Sequence, residues 1–515
     1  MFRQVHKYSI FLFCLVGILY TQELVDLQVI QRIKAHAFEN SQVMETISYL
    51  TDVYGPRLSG SPNYKKASEW AIERLKEWGI TNAGLEPWGT FGRGWSMDKV
   101  SLEMVEPHYM FLIAYAKAWT PGTEGVINGS PLLLNYTTDE DLEKNKGKLK
   151  DAIVMLGKPR DFEPKFETDA KRYSEEELNE LAQAPEPGAK PSWWEKREEH
   201  RNLMKQKKKY MNFLFDEGVA LILEASQREH GTVRLTDGGS YKIGADSALP
   251  TLVVTIEHYG RLARLIEKNI PVKLQSLVNT RFYTDDSLGY NVIAEIPGVD
   301  KRVKNEVVMF GGHLDSWHAG TGATDNAASC AVAMEVMRIL KEIDVKPRRT
   351  IRMTLWDAEE QGYLGSRGYI LKHFGDRKTM KLKPEYDLFS VYFNLDNGAG
   401  KIRGIYLQGN DAARPIFEAW LKPFNDMGAA TITIRNTSGT DHIPFNEIGL
   451  PGFQFIQDEI DYMTRTHHTN MDVYEHVIPG DVMQASAIMA SFVYHAAMRE
   501  GKIPRKELLD QKKDD

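Results

Sequence analysis

Short apolar β-type runs alternate with helix-type segments between residues 285 and 500, and this alternation is the strongest constraint on the fold. The runs cover residues 307–310, 350–356, 389–395 and 452–456, and a helical segment over 327–341 separates the first two. Continuous apolar runs joined by helices are typical of parallel strands that are buried on both faces. The pattern predicts an α/β domain in which helices cover both sides of a mostly parallel, mixed sheet.

Candidate metal ligands follow these runs. Ligands bind beyond the carboxyl ends of the strands in open α/β sheets, so side chains there are expected to meet. They are His313 and Asp315 after the first run, Glu359 and Glu360 after the second, Asp396 after the third, His467 and His468 after the fourth, and Asp325 in a glycine-rich turn before the 327–341 helix. The sequence therefore predicts a metal centre at one edge of the sheet.

Histidine and carboxylate ligands together suit zinc, although they do not exclude cobalt or manganese. Each zinc ion takes about three protein ligands and keeps a position for water. Two histidines and three carboxylates can thus hold two ions if one carboxylate bridges them. Singly, each motif is ordinary, since such residues also occur as surface pairs, strand caps, turns and loop histidines. Their joint placement at strand ends favours the metal centre.

Spacing within the motifs suggests separate roles. His313 and Asp315 are two residues apart, so on an extended segment they face the same way, and Asp315 can accept the second imidazole N–H. Glu359 and Glu360 are adjacent, so their side chains occupy different positions and are expected to have different roles. One of them can bind metal while the other takes a proton from water.

The rest of the chain divides into an N-terminal part and a middle region of different texture. Ser61 and Pro62 predict a helix start, and Gly79 its end. Short β-type runs recur at 124–127, 152–156, 220–223 and 251–255, and a charged stretch over 158–209 contains Trp193 and Trp194. These two tryptophans either cover a cleft or, more simply, dock the insertion. We predict a leader at 1–22, two parts of one main domain at 23–120 and 280–501, an insertion at 121–279 and a charged tail at 502–515.

Residues 1–22 predict a secretory signal or a short uncleaved anchor. Arg3 and Lys7 precede an apolar run of about a dozen residues, which is shorter than the ~20 needed to cross a bilayer. We therefore expect a secreted, extracellular or periplasmic protein. Removing this segment would remove Cys14 and leave Cys330 as the single thiol, expected to pack in the core. The net charge of −7 does not favour nucleic acid or an anionic membrane as a partner.

Several stretches together resemble one known family. GGHLDSWHAGTGATDNAAS, LWDAEEQGYLGSRGY, YFNLDNGAG, SGTDHIPF and HHTNMD are similar to the metal-binding motifs of the M28 zinc peptidases, nearest to the subgroup of carboxypeptidase Q and related aminopeptidases. The resemblance covers residues 285–480 and, less closely, GPRLSGS and the helix after it. It implies a zinc-exopeptidase (phosphorylase/hydrolase-like) fold with a β-rich insertion that resembles a protease-associated domain.

The resemblance also implies two zinc ions and a role for each candidate residue. His313, Asp325 and Asp396 would bind one ion, and Asp325, Glu360 and His468 the other, with Asp325 as the bridge. Glu359 would be the general base and Asp315 would orient His313. His468 is preferred to His467 because it directly precedes the Thr469–Asp472 pattern. Supporting roles are implied for Asp441, His442, His467 and Tyr462.

One departure from the family pattern concerns the oxyanion. Several family aminopeptidases have a tyrosine shortly before the Asp-His block, where this chain has Asn436, Thr437 and Ser438. Tyr462, His467 or the metal alone would then stabilise the oxyanion.

The implied activity is hydrolysis of short peptides or dipeptides by a metal-bridged water. Side-chain preference, the recognised terminus and the choice between monomer and homodimer stay open. The alternatives are a one-zinc, glutaminyl-cyclase-like enzyme, which would leave His313 and Asp396 without a metal, and a non-enzymatic binding module, which would be expected to have lost ligands.

Overall fold

We describe the protein from a computed structural model, which covers residues 23–135, 139–185 and 197–506. The predicted leader at 1–22, the Trp193–Trp194 pair and most of the predicted tail lie outside these residues. None of the described helices is both long and apolar enough to cross a membrane.

The described residues form nineteen strands and thirteen α-helices. The strands are β1 (Asn82–Thr90), β2 (Gly94–Glu106), β3 (Met110–Phe111), β4 (Ala114–Ala116), β5 (Ile127–Gly129), β6 (Pro131–Leu134), β7 (Ile153–Leu156), β8 (Leu221–Ala225), β9 (Thr251–Val254), β10 (Lys273–Tyr283), β11 (Leu288–Ile296), β12 (Val307–His313), β13 (Thr350–Trp356), β14 (Gly375–Asp376), β15 (Lys381–Leu382), β16 (Phe389–Asn394), β17 (Ile402–Tyr406), β18 (Thr431–Thr433) and β19 (Gly452–Gln457). The helices are α1 (Leu27–Glu39), α2 (Val43–Ser48), α3 (Pro62–Glu77), α4 (Asp139–Asn145), α5 (Glu175–Ala182), α6 (Arg197–Asp216), α7 (Ile256–Glu267), α8 (Ala328–Glu342), α9 (Leu364–His373), α10 (Glu385–Leu388), α11 (Arg414–Leu421), α12 (His442–Glu447) and α13 (Pro479–Met498).

An eight-stranded sheet forms the centre, in the order β1-β11-β13-β12-β16-β19-β17-β18. The four inner strands β13, β12, β16 and β19 are parallel, and antiparallel pairings flank them on both sides. The predicted mixed, mostly parallel sheet is confirmed. Because the inner strands are parallel, their carboxyl ends share one edge, and this edge positions the candidate site.

Helices cover both faces of this sheet. Val308 and Phe310 of β12 belong to one core with α8 and α13, whereas Met309 belongs to an aromatic cluster on the opposite face. That cluster includes Tyr369 of α9 and Phe445 of α12. Since successive side chains of a strand point to opposite faces, an apolar run without polar alternation is what a doubly covered strand requires.

Helix α3 begins as its sequence predicts. The Ser61 side chain accepts a hydrogen bond from the Tyr64 N–H, and Pro62 occupies the first turn. Gly79 follows the helix with φ +80°, a conformation that favours glycine. The buried face of α3 packs against β1, β11 and α8.

The middle region adds two smaller sheets. One has the order β4-β9-β8-β7-β6, and the other has the order β3-β2-β10-β5 and rests on the long antiparallel pair of β2 and β10. The run predicted at 124–127 is displaced, because Gly125 adopts φ +78° in a turn and the strand begins only at Ile127. Strands β5 to β9 and the start of β10 lie within residues 121–279, so the β-rich character of the predicted insertion is confirmed.

Candidate metal centre

The carboxyl edge of the central sheet carries the predicted ligands. His313 is the last residue of β12, Asp396 follows β16, and the 357–360 turn follows β13. Asp325 lies in the turn before α8, and His468 lies in the loop after β19. His313 is 1% exposed, Asp325 4% and Asp396 9%, so these polar side chains meet in a place largely closed to water.

The Asp325 carboxylate lies between the two histidines. Its Oδ1 is 3.2 Å from His313 Nε2, and its Oδ2 is 3.4 Å from His468 Nε2. Each histidine has one further carboxylate beside the same nitrogen. Asp396 Oδ1 is 3.4 Å from His313 Nε2, and Glu360 Oε2 is 3.0 Å from His468 Nε2. The five side chains therefore form two groups that share Asp325.

This donor set fits zinc. Two ligands at the usual bond lengths of 2.0–2.1 Å in a tetrahedral site lie about 3.3 Å apart, and the four nitrogen–oxygen distances above are close to that value. Within the part of the chain that the structure describes, His313 Nε2, Asp325 Oδ2 and Glu360 Oε1 are buried without a hydrogen-bond partner. Because unpaired buried polar atoms are costly, bound cations would stabilise this arrangement.

Glu359 and His467 border the same centre. Potential ligand atoms of His313, Glu359 and Asp396 all lie within 4.8 Å of one another, and so do those of Asp325, His467 and His468. Glu359 is 7% exposed. Glu359 thus borders the group of His313 and Asp396, and His467 lies beside the predicted ligand His468, with their ring centroids 3.7 Å apart.

Asp315 supports the centre through two different groups. His313 Nδ1 lies 2.9 Å from the Asp315 carbonyl oxygen, and 3.5 Å from its carboxylate Oδ1. The carboxylate accepts the backbone N–H groups of Glu359 and Glu360, at 3.2 and 3.3 Å. Asp315 therefore orients His313 mainly through its backbone, whereas its side chain fixes the turn that carries both glutamates.

Asp472 holds the turn of Asp325, a contact that the sequence analysis missed. Its Oδ1 accepts the N–H and the hydroxyl of Thr324, at 2.6 and 2.8 Å, and its Oδ2 accepts the Asp325 N–H at 3.2 Å. The next residue, Asn326, donates to the Leu395 carbonyl at 3.1 Å and so connects this turn to the segment of Asp396. The Thr469–Asp472 pattern was the available signal, but it served only to choose between two histidines.

Arg57 is the second residue that the sequence analysis missed. It is fully buried, and its guanidinium donates to the carbonyls of Leu50, Leu314, Thr321 and Gly322 at 2.7–2.8 Å. Three of these carbonyls belong to the segment between β12 and Asp325. The GPRLSGS stretch contributed only to the family resemblance, and nothing local shows that its arginine is buried.

The predicted supporting residues differ in their surroundings. Asp441 Oδ1 accepts the Ser366 hydroxyl at 2.5 Å, and burial together with the charges of Asp396 and Asp315 raises the pKa of Asp441 to about 8. Tyr462 packs its ring 5.0 Å from His467. His442 instead places Nε2 3.1 Å from the Thr437 carbonyl, and burial lowers its pKa to about 4.

Burial and mutual repulsion dominate the electrostatics of the centre. Burial raises the pKa of Glu359 well above its ordinary value and that of Glu360 to about 7. Burial also opposes ionisation of Asp325, but the imidazole of His313, 3.2 Å away, and the nearby charge of His468 hold its pKa below the ordinary value. The carboxylates conversely outweigh burial at His313 and raise its pKa well above 6.5. Without a metal, the centre therefore retains protons at neutral pH.

Comparison with known proteins identifies the domain around this site. Residues 291–493 match the family model for peptidase family M28. Carboxypeptidase Q from Bos taurus is 26% identical to this chain over 466 residues, which cover 90% of this chain and 86% of that protein.

Solved structures show the same fold. A peptidase M28 precursor from Shewanella amazonensis superposes with a TM-score of 0.66 at 23% identity, covering 93% of this chain and 99% of that one. A zinc aminopeptidase from Bacillus subtilis superposes with a TM-score of 0.55 at 19% identity, covering 90% and 96%. Taken together, residues 291–493 match peptidase family M28, most of the chain is similar to carboxypeptidase Q, and its fold is that of solved peptidases of this kind.

Proposed function

We propose that this chain is a two-zinc exopeptidase that hydrolyses short peptides or dipeptides with Glu359 as its general base. The observation that carries the proposal is the Asp325 carboxylate, whose two oxygens lie 3.2 and 3.4 Å from the Nε2 atoms of His313 and His468. His313, Asp325 and Asp396 would hold one ion, and Asp325, Glu360 and His468 the other. Bound zinc supplies Lewis-acid polarisation of the scissile carbonyl and of the attacking water.

The chain's own residues then move the proton. The carboxylate of Glu359 accepts a proton from the attacking water and then donates it to the leaving amine. Asp315 holds the backbone of Glu359 and Glu360, so that the two adjacent side chains keep different positions. The near-complete burial of Glu359 limits competing exchange with bulk water, because closed sites exclude solvent from the proton transfer.

We infer that Tyr462 would donate to the oxyanion, because its ring packs against His467, which borders Asp325 and His468. Burial, with the charges of Asp325 and Asp396, raises the pKa of its phenol well above 10, so the hydroxyl keeps its proton at neutral pH. His467, whose pKa burial lowers to about 4, remains neutral and packs against the Tyr462 ring. Gly398, at φ +82°, lets the backbone approach this ring closely, since a Cβ there would lie 3.0 Å from it.

The first test is a zinc count together with a substrate panel. We expect two zinc ions per chain by elemental analysis, turnover of free dipeptides, and no turnover of N-acetylated peptides. A chelator should abolish activity and added zinc should restore it. One ion or none, together with an inert panel, would overturn the proposal and favour a cyclase-like enzyme or a binding module.

Zinc should stabilise the protein more at pH 7.5 than at pH 5.5. The raised pKa values of His313, His468 and Glu360 mean that these groups bind protons in the metal-free fold at pH 5.5. Without zinc, these three groups stabilise the fold most at low pH, where they are protonated. This stabilisation is lost as the pH rises through the pKa that each group has in the folded protein. Zinc must displace these protons, so its affinity rises by up to about tenfold per pH unit for each proton displaced.

The measurement is the thermal midpoint with and without a fixed free zinc concentration, at both pH values. At 100 times Kd, zinc adds about 2.7 kcal/mol to the free energy of unfolding. Only the zinc-dependent difference is compared, because His318 and His442, with pKa values lowered to about 4 by burial, add an opposite pH term to the metal-free protein. An increment that is equal or smaller at pH 7.5 would contradict the prediction.

Export of the protein belongs to the same proposal. The basic start and the apolar run within residues 1–22 support a secretory leader. Short peptides are the proposed partners of the exported protein. If the leader is not cleaved, it would anchor the chain at a membrane. N-terminal sequencing of the protein collected from culture medium and from membranes would separate these two outcomes.

A further inference from the structure

A segment of the middle region is joined to the loop that carries His468. Arg234 and Thr469 form an isolated antiparallel bridge. The Leu235 N–H donates to the His468 carbonyl at 2.9 Å, and the Asn470 N–H donates to the Val233 carbonyl at 3.1 Å. The backbone of Arg234 is therefore fixed opposite the residue that follows a predicted zinc ligand.

Arg234 has no acidic partner within residues 23–135, 139–185 and 197–506. It appears in none of the ion pairs there, its Nε is buried without a hydrogen-bond partner, and its side chain is half-buried. Arg172 and Arg465 are paired by contrast, since Arg172 contacts Asp458 and Asp481, and Arg465 contacts Asp169. A partly desolvated guanidinium without a counter-ion is costly, which favours an anionic ligand from outside the chain.

A second arginine lies beside it. Burial lowers the pKa of Arg228, and the charge of Arg234 adds to this effect. The two residues share a backbone contact, because the N–H groups of Arg228 and Arg234 both donate to Ser226 Oγ, at 3.2 and 3.4 Å. Neither arginine forms an ion pair among the described residues, whereas the carboxylates of the proposed zinc site already have the histidines as partners.

We propose that Arg234, assisted by Arg228, binds the free C-terminal carboxylate of the substrate and so makes short unblocked peptides the preferred class. This inference rests on the proposed peptidase function. A guanidinium matches a carboxylate through two parallel N–H···O bonds, which fix orientation as well as charge. The carboxyl group of a dipeptide is only three bonds from its scissile carbonyl carbon, so a cation beside the His468 loop would select substrates by length.

The test compares three substrates, Ala-Ala, Ala-Ala amide and Ala-Glu amide, on the zinc-loaded full chain and its Arg234→Ala variant. We expect wild type to prefer Ala-Ala, and the variant to raise its KM for Ala-Ala by about 10- to 100-fold while kcat and the kinetics of Ala-Ala amide stay unchanged. Arg234→Lys should recover part of the lost affinity for Ala-Ala, because lysine keeps the positive charge but lacks the two parallel N–H donors of a guanidinium. Arg281→Ala is the matched control, since it removes an exposed arginine of β10 that pairs with Asp98.

A binding measurement keeps the two proposals separable. Calorimetry with zinc-loaded Glu359→Gln should show tighter binding of Ala-Ala than of its amide, and Arg234→Ala in that background should remove the difference. Equal KM changes for Ala-Ala and its amide, or none, would overturn the role of Arg234 and leave the peptidase function standing. A loss confined to Ala-Glu amide would show that an acidic side chain is bound, and would also overturn the proposal. No turnover of any substrate by wild type, with no binding difference, would overturn both.

Discussion

Replacing Glu359 by glutamine is expected to lower kcat for dipeptide hydrolysis by about 10²- to 10⁴-fold, the usual contribution of a positioned general base. Glutamine keeps the shape of the side chain but cannot accept the water's proton. Zinc content and the thermal midpoint of the zinc-loaded protein should stay near wild type, because the proposed ligand set does not include Glu359. Steady-state kinetics and elemental analysis of the same preparation check both statements.

Glu73→Gln is the matched control, since it removes the same charge from an exposed position of α3. It should leave kcat and zinc content unchanged. Glu359 has potential ligand atoms within 4.8 Å of those of His313 and Asp396, so a direct metal ligand is the competing assignment. Loss of one zinc ion per chain in Glu359→Gln would establish that assignment and contradict the role of general base.

Replacing Asp325 by alanine is expected to have the largest effect on metal binding. Among the described residues, this is the carboxylate whose oxygens lie within 3.4 Å of both histidines, so both proposed ions would lose a ligand together. Loss of a residue that only hydrogen-bonds to a metal ligand typically lowers metal affinity 10- to 100-fold. We expect loss of a bridging ligand to lower it by at least about 100-fold. Zinc titration by calorimetry and residual turnover at saturating zinc measure the two consequences.

Asp411→Ala is a suitable control, because Asp411 is exposed and pairs only locally with Arg414. Far-ultraviolet circular dichroism of the metal-free variants should match wild type, since the Asp325 side chain lies at a sheet edge and outside the apolar core. Retention of two zinc ions with wild-type affinity in Asp325→Ala would refute the bridge. Loss of one ion only would show that the two groups of ligands do not share this residue.

The strands that position the site were predictable because they are buried on both faces. The 350–356 run coincides with β13, and the 307–310, 389–395 and 452–456 runs lie within or within one residue of β12, β16 and β19. Helix α3 was predictable for a local reason, since its hydroxyl cap and first-turn proline are adjacent in sequence. The convergence of His313, Glu360 and Asp396 followed from the rule that parallel strands end at one edge.

Contacts between distant segments could not be predicted in this way. The Asp315 side chain is predicted beside His313, and its Oδ1 lies 3.5 Å from His313 Nδ1, but its hydrogen bonds to backbone groups 44 and 45 residues further along the chain were not predicted. The Arg57 guanidinium reaches carbonyls 257 to 265 residues away. Such partners leave no periodic pattern, because a backbone carbonyl or N–H is the same for every residue type.

The sequence by itself determined the parallel core, the order of the metal-binding motifs and the residue types that could serve as ligands, since each depends on local apolar patterning or on side-chain chemistry. The tertiary structure alone decided that Asp325 lies between His313 and His468, that Asp472 and Arg57 hold the turns around it, and that Arg234 of the middle region lies opposite the His468 loop. The physical reason is that a long-range contact depends on how separately formed elements pack, and packing is set by the whole core, which no single segment encodes.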